Sequence, residues 1–134
     1  MSQGPKKILI VDDDEDIRNL MAHYLKSVDV KCFFAEDAIV GLTLLRDEGN
    51  FDLLISDVMM PEMNGMEFIQ HVNGFYPNLP IIVCSSGGDS QSNGLSATEL
   101  MELALERGAV KALNKPFSKY QLISVACEVG KIAA

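Results

Sequence analysis

Apolar residues recur along this chain in two rhythms. Short unbroken runs, ILIV (8–11), KCFFA (31–35), FDLLIS (51–56), IIVCS (81–85) and VKALN (110–114), have the length and composition of strands. Between them the apolar positions fall three and four residues apart. Ile17, Leu20, Met21, Tyr24, Leu25 and Val28 predict one helix, and Ala38, Leu42 and Leu45 a second that stops near Gly49. Met66, Ile69 and Val72 predict a third, ending near Gly74. Ser96 and Glu99 stand at capping-box spacing before Ala97, Leu100, Met101, Ala104 and Leu105. Ser118 and Gln121 repeat that signal before Leu122, Val125, Ala126 and Val129. The polar stretch SGGDSQSNG (86–94) has neither rhythm and reads as a loop.

Strand and helix therefore alternate five times. Continuous rather than alternating apolar strands are buried on both faces, which predicts an α/β fold with a doubly wound five-stranded parallel sheet and helices on both faces. Right-handed crossovers deliver the helices to the two sides. In such sheets, sites form at the carboxyl ends of the strands, near the reversal of strand order. Length changes little: 134 residues suit one core. We expect residues 1–5 to be a loose tail and 6–134 a single domain.

Charge and cysteines narrow the function classes. Net charge is −8, from 19 acidic and 11 basic residues, and no basic run supplies a nucleic-acid face. Cys32, Cys84 and Cys127 are scattered, with no CxxC pattern, which suits a reducing compartment better than a disulfide framework. No apolar run nears the roughly 20 residues of a membrane helix, and MSQGPKK lacks a signal-peptide core. The expectation is a cytoplasmic protein without membrane insertion or nucleic-acid binding.

The strand ends differ in their chemistry. The first strand ends in Asp12 and Asp13, the third in Asp57, the fourth in Ser85 and Ser86, and the fifth in Lys115 and Pro116. Three carboxylates at one edge repel unless a cation neutralises them, and oxygen donors suit Mg²⁺. An aspartate can act as a nucleophile toward phosphorus, while an ammonium and a hydroxyl can hold phosphoryl oxygens. In outline this is a hard-cation and phosphoryl site.

The fragments ILIVDDDED, LLISDVMMPEMNG, PIIVCSS and NKPF, in that order, resemble the receiver domain of two-component response regulators, of the stand-alone, chemotaxis-type kind. The resemblance covers residues 6 to 130. It implies the sheet order 2-1-3-4-5 and makes Asp57 the phosphoacceptor. Asp13, Asp57 and the backbone carbonyl of Met59 would bind Mg²⁺, with Asp12 holding a metal-bound water. Ser85 and Lys115 would bind the phosphoryl group, and Ser86 would take the adjacent small-residue position. The bond before Pro116 is often cis in this family. A sensor histidine kinase or phosphotransfer protein would donate the phosphoryl group, and an unknown protein target would read the altered surface. Beyond its own phosphorylation and dephosphorylation, the domain would catalyse nothing.

Two positions depart from that pattern. Ala112 stands where the family carries an aromatic whose rotamer reports phosphorylation. The segment from Ser85 to Lys115 is longer than usual, with the excess in SGGDSQSNGLSATE (86–99), which predicts a role in partner binding or phosphoryl lifetime. A phosphate-independent binding scaffold is the alternative that Ala112 keeps open, against the presence of every acceptor-site residue. A small aspartate-nucleophile phosphohydrolase fits poorly, because Asp12-Asp13-Asp14 runs on into Glu15 and Asp16 without the threonine of a DxDxT motif. Asp14 to Asp16 read as a helix cap. Met59, Met60, Met63 and Met66 read as core filler ahead of a docking surface, and His23 and His71 as surface or boundary residues.

Overall fold

The computed structural model describes residues 5–58, 65–85, 91–92 and 95–132. The elements are β1 (Lys6–Val11), α1 (Glu15–Leu25), β2 (Val30–Ala35), α2 (Ala38–Asp47), β3 (Leu53–Asp57), α3 (Gly65–Phe75), β4 (Ile81–Ser85), β5 (Gln91–Ser92), β6 (Leu95–Ser96), α4 (Ala97–Glu106), β7 (Lys111–Asn114) and α5 (Lys119–Gly130). Five strands form one parallel sheet in the order β2-β1-β3-β4-β7. Counting only those five, this is the order 2-1-3-4-5.

Each inner strand feeds two cores at once, because successive side chains point to opposite faces. Leu9, Val11, Leu54, Ile81 and Val83 pack on one face against Phe68, Ile69 and Val72 of α3 and Leu100 and Ala104 of α4, with Ala38 and Leu45 of α2. Ile8, Ile10, Leu53, Ile55, Ile82 and Cys84 pack on the other against Met21 and Leu25 of α1 and Leu122 and Ala126 of α5. Every residue of β3 and β4 is buried. Full burial of one such aliphatic side chain stabilises the fold by about 1.5–3 kcal/mol, so a single Ile55→Ala would weaken it measurably.

Helix starts follow the sequence signals. Asp14 caps α1 by accepting from the Asp16 amide, and Asp37 caps α2 by accepting from the Val40 amide. Both expected capping boxes are formed, Ser96 with Glu99 and Ser118 with Gln121. Gly108 follows α4 at φ 130°, and a Cβ there would lie 2.6 Å from the Asn73 side chain. Only glycine fits this turn, which sends the chain back into β7.

Two expectations shift. The first helix ends at Leu25 rather than reaching Val28, which packs from the turn beyond it instead. The stretch read as a plain loop contains a short antiparallel ladder, with Gln91 opposite Ser96 and Ser92 opposite Leu95. Its sequence signal is Asn93-Gly94, a strong two-residue hairpin pair.

Candidate functional site

The sheet order explains why the unusual residues meet. β1 and β3 are neighbours, β4 lies beside β3 and β7 beside β4, so their carboxyl ends form one continuous edge. Asp57 is the last residue of β3 and Ser85 the last of β4, while Asp12 comes directly after β1. The ladder continues past the strands. The Asp12 amide donates to the Ala35 carbonyl at 3.1 Å, the Val58 amide to the Cys84 carbonyl at 3.0 Å, and the Lys115 amide to the Ser85 carbonyl at 2.7 Å. Backbone bonds therefore fix the directions from which these side chains project.

At the centre is an ammonium between two carboxylates. Lys115 Nζ donates to Asp12 Oδ2 at 2.7 Å and to Asp57 Oδ2 at 3.0 Å. The side chains of Asp12, Asp57 and Lys115 are 1%, 10% and 11% exposed, so these pairs are largely shielded from water. Charges held this way are tolerated because they are paired and hydrogen-bonded. Burial acts to lower the pKa of Lys115. The hydrogen bond to Asp12 and the attraction of Asp57 and Asp12 outweigh it, and the net shift is upward. Lys115 is thus a permanent cation at neutral pH. The Lys115–Pro116 peptide is cis.

Asp13 completes the acidic set from the exposed side. One carboxylate oxygen from each of Asp12, Asp13 and Asp57 lies within 4.8 Å of the others. Three hard oxygen donors at that spacing fit a small divalent cation that keeps several waters, as Mg²⁺ does. Ser85 is fully buried at the same edge. Cys84, opposite Asp57 in the ladder, points into the core beneath, where burial and the neighbouring carboxylates push its thiol up to about 12 against the pull of Lys115. A thiol held so far from ionisation is chemically inert under the site.

Of the residues expected at the site, the structure brings together Asp12, Asp13, Asp57, Ser85 and Lys115. The Met59 carbonyl and Ser86 lie outside the described residues. Ala112 is half-buried in β7 opposite Val83 and packs against the core under α4. Met66 is core, as expected, whereas Met59, Met60 and Met63 are outside the described residues. His23 and His71 are exposed, the latter stacked on Phe75. One residue escaped the sequence reading: Arg18, whose Nη1 donates to the Asp12 carbonyl at 2.6 Å. Its signal was a lone arginine one helical turn into an acidic stretch, four residues after the Asp14 cap.

Fold and site together define a doubly wound α/β domain with an acid–lysine cluster at the carboxyl edge of its sheet. Residues 8–126 match the response regulator receiver domain family, and the chain belongs to it: it is a receiver domain of two-component response regulators. Among solved structures it is similar to a CheY-like receiver domain from Methanospirillum hungatei JF-1, with TM-score 0.82 and 25% identity over 96% of this chain and 95% of that one. The receiver domain of NtrX from Brucella abortus aligns with TM-score 0.81 and 28% identity, over 92% and 98% of the two chains. By sequence it is 34% identical over 131 residues to the transcriptional regulatory protein GlrR of Escherichia coli, covering 96% of this chain and 28% of that protein. The DNA-binding transcriptional regulator NtrC of Azospirillum brasilense is 35% identical over 118 residues, 88% of this chain and 23% of that protein. The chain thus spans only about a quarter of either regulator's length. Among the described residues, no helix is long and apolar enough to cross a membrane.

Proposed function

We propose that this domain accepts a phosphoryl group on Asp57 from a histidine kinase or phosphotransfer protein and signals through a changed surface. The observation that carries this reading is the Lys115 ammonium bridging Asp12 and Asp57, with Asp13 within reach of both. A carboxylate nucleophile needs charge neutralisation and positioning more than covalent assistance. The Asp57 carboxylate attacks the donor phosphorus, an acyl phosphate forms, and the P–N bond to the donor histidine breaks as its imidazole takes up a proton. Lys115 would pair with a phosphoryl oxygen, and Ser85 would offer its hydroxyl to another. Asp12, Asp13 and Asp57, with the Met59 carbonyl, would hold Mg²⁺, which supplies positive charge to the transferring group. The product acyl phosphate is hydrolysed at the same site, and no external substrate is turned over.

Mg²⁺, a cytoplasmic location and a protein target belong to this reading, as does a phosphorelay. Nucleic-acid contact does not, although two relatives are transcriptional regulators by name. The segment 86–98 is assigned an influence on phosphoryl lifetime or partner affinity, since loops that adjoin sites often carry function. Deleting residues 88–94 should change one of those two quantities; if neither moves, the segment is a spacer. With Ala112, no side chain at that position can switch rotamer, so partner binding tests a phosphate-independent scaffold directly. Equal affinity with and without a phosphate mimic would establish it.

The test is intact mass after incubation with acetyl phosphate. One adduct that needs Mg²⁺ and is lost in Asp57→Ala is expected. A folded, cation-binding protein without an adduct would overturn phosphoryl acceptance.

A further inference from the structure

Asp12 carries an unusual load for a residue at the end of a strand. It is buried, and each of its polar atoms has a partner. Its amide donates to the Ala35 carbonyl at 3.1 Å, Oδ1 accepts from the Asp14 amide at 2.9 Å, and Oδ2 accepts from Lys115 at 2.7 Å. Its carbonyl accepts from Arg18 Nη1 at 2.6 Å. Arg18 brings a side chain to Asp12 from outside the acid–lysine cluster. It sits in the first turn of α1, where its own amide donates to the Asp14 carbonyl at 3.1 Å.

The Asp12 carbonyl belongs to the same planar peptide unit as the Asp13 amide and Cα. Whatever fixes that carbonyl fixes the position of the Asp13 Cα, leaving only the Asp13 φ and side-chain torsions to aim its carboxylate. The pull in the other direction is plain: Asp13 is exposed and faces two like-charged carboxylates within 4.8 Å. Repulsion favours rotation of Asp13 into water. A shielded carbonyl without a donor is costly, so losing Arg18 would add a second reason for this peptide to turn outward.

We propose that Arg18 is a positioning residue that holds the Asp12–Asp13 peptide so that both carboxylates face Asp57, making the cation site ready before the cation arrives. This rests on the reading of that site as a Mg²⁺ site. Arg18 touches neither the cation nor the phosphoryl group; it acts through the Asp12 carbonyl. The charge of Arg18 works against its geometry, since a nearby cation repels Mg²⁺. The proposal is that geometry wins.

That contest makes the sign of the outcome informative. Mg²⁺ affinity is measured by isothermal titration calorimetry, with no phosphodonor present, on the wild type, Arg18→Met, Arg18→Lys and Arg46→Met. The last variant removes the same charge from a different helix, α2, where Arg46 forms an exposed pair with Asp47. Loss of a residue that orients a metal ligand typically weakens binding by about tenfold or more, so Arg18→Met should bind Mg²⁺ about tenfold more weakly. Arg18→Lys should recover to within about threefold and Arg46→Met should match the wild type, with circular dichroism melts showing that each variant is folded. Unchanged or tighter binding by a folded Arg18→Met would overturn the proposal, showing that Arg18 is only a competing charge. Should Arg18→Met fail to fold, Arg18→Gln, whose shorter side chain lacks the guanidinium's reach, takes its place under the same criterion: a folded variant that binds Mg²⁺ about tenfold more weakly supports the proposal, and unchanged or tighter binding overturns it. No Mg²⁺ binding by the wild type would instead overturn the site reading, and the proposal with it.

Discussion

Lys115 and Lys7 lie at opposite ends of the sheet, and both bring a partly buried ammonium to a place rich in electron density. Lys7 Nζ donates to the Gly49 carbonyl at 2.7 Å, beyond the end of α2, and rests over the rings of Phe33 and Phe51 at 5.3 and 5.0 Å. These partners are dipoles and ring faces with no formal charge. The two rings meet edge-on, and beside them the Asp52 amide donates to the Lys7 carbonyl and the Lys7 amide to the Asp52 carboxylate, each at 2.8 Å. Lys115 instead faces two formal negative charges that a third carboxylate adjoins. The first arrangement is finished: the Lys7 charge is met by a carbonyl dipole and ring faces, with no cluster of carboxylates for a cation to offset. The second holds an excess of negative charge, and a cation can take over part of what Lys115 does. Similar residue types thus build a brace at one end of the sheet and the candidate site at the other. Partner charge makes the difference.

Removing each ammonium tests that contrast. Lys115→Met takes the positive charge from between two shielded carboxylates and should destabilise the fold by about 3 kcal/mol in urea titrations without Mg²⁺. Added Mg²⁺ should recover much of the loss by binding the native state, while phosphoryl labelling stays impaired. An unchanged midpoint would mean that solvent already screens the pair.

Alkaline pH acts on the same end of the sheet. The pKa of Lys115 is raised above its ordinary 10.5, so the stability it contributes is complete below that pH and is lost as pH rises through its folded value. The Cys84 thiol is also raised, from 9.0 to about 12, so its contribution falls away from pH 9.0 upward. Unfolding midpoints should therefore decline above the ordinary thiol value of 9.0. Cys84→Ala should flatten part of the decline above 9.0, with Cys32, raised by burial to about 11, supplying another part, and Lys115→Met should flatten the part above 10.5. A flat profile would remove the claim that these groups are shielded.

At the other end the effects shrink. Lys7→Met should cost about 1 kcal/mol, from a cation–π contact and a bond beyond the end of α2, with labelling unaffected. Lys6→Ala should move stability by no more than about 0.5 kcal/mol, because its pair with Asp52 is 4.0 Å long and about one-third exposed. A labelling defect in either variant would contradict the division between brace and candidate site.

Much of the fold and most of the site are legible in the amino-acid order. Unbroken runs such as ILIV and IIVCS can be buried only in a sheet covered on both faces, and that topology forces Asp12, Asp57, Ser85 and Lys115 to one edge. The charged residues are conspicuous because they end apolar strands. Features that stay hidden depend on reach rather than on pattern. Arg18 contacts a backbone carbonyl six residues back, and no periodicity marks a side-chain to main-chain bond. Lys7 meets Phe33, Phe51 and Gly49 from two other segments, which only the register of β1 with its neighbours brings near. The β5–β6 ladder escapes notice because Gln91, Ser92 and Ser96 are polar, leaving Asn93-Gly94 as its local signal.

The most direct test of the central claim is to locate the phosphoryl group itself. Protein treated with acetyl phosphate and Mg²⁺ is reduced with borohydride, which converts an aspartyl phosphate to homoserine, and the peptides are mapped by mass spectrometry. Conversion at Asp57 alone is the predicted result. Conversion at Asp12 or Asp13, with Asp57 intact, would contradict the assignment and move the nucleophile to the end of the first strand.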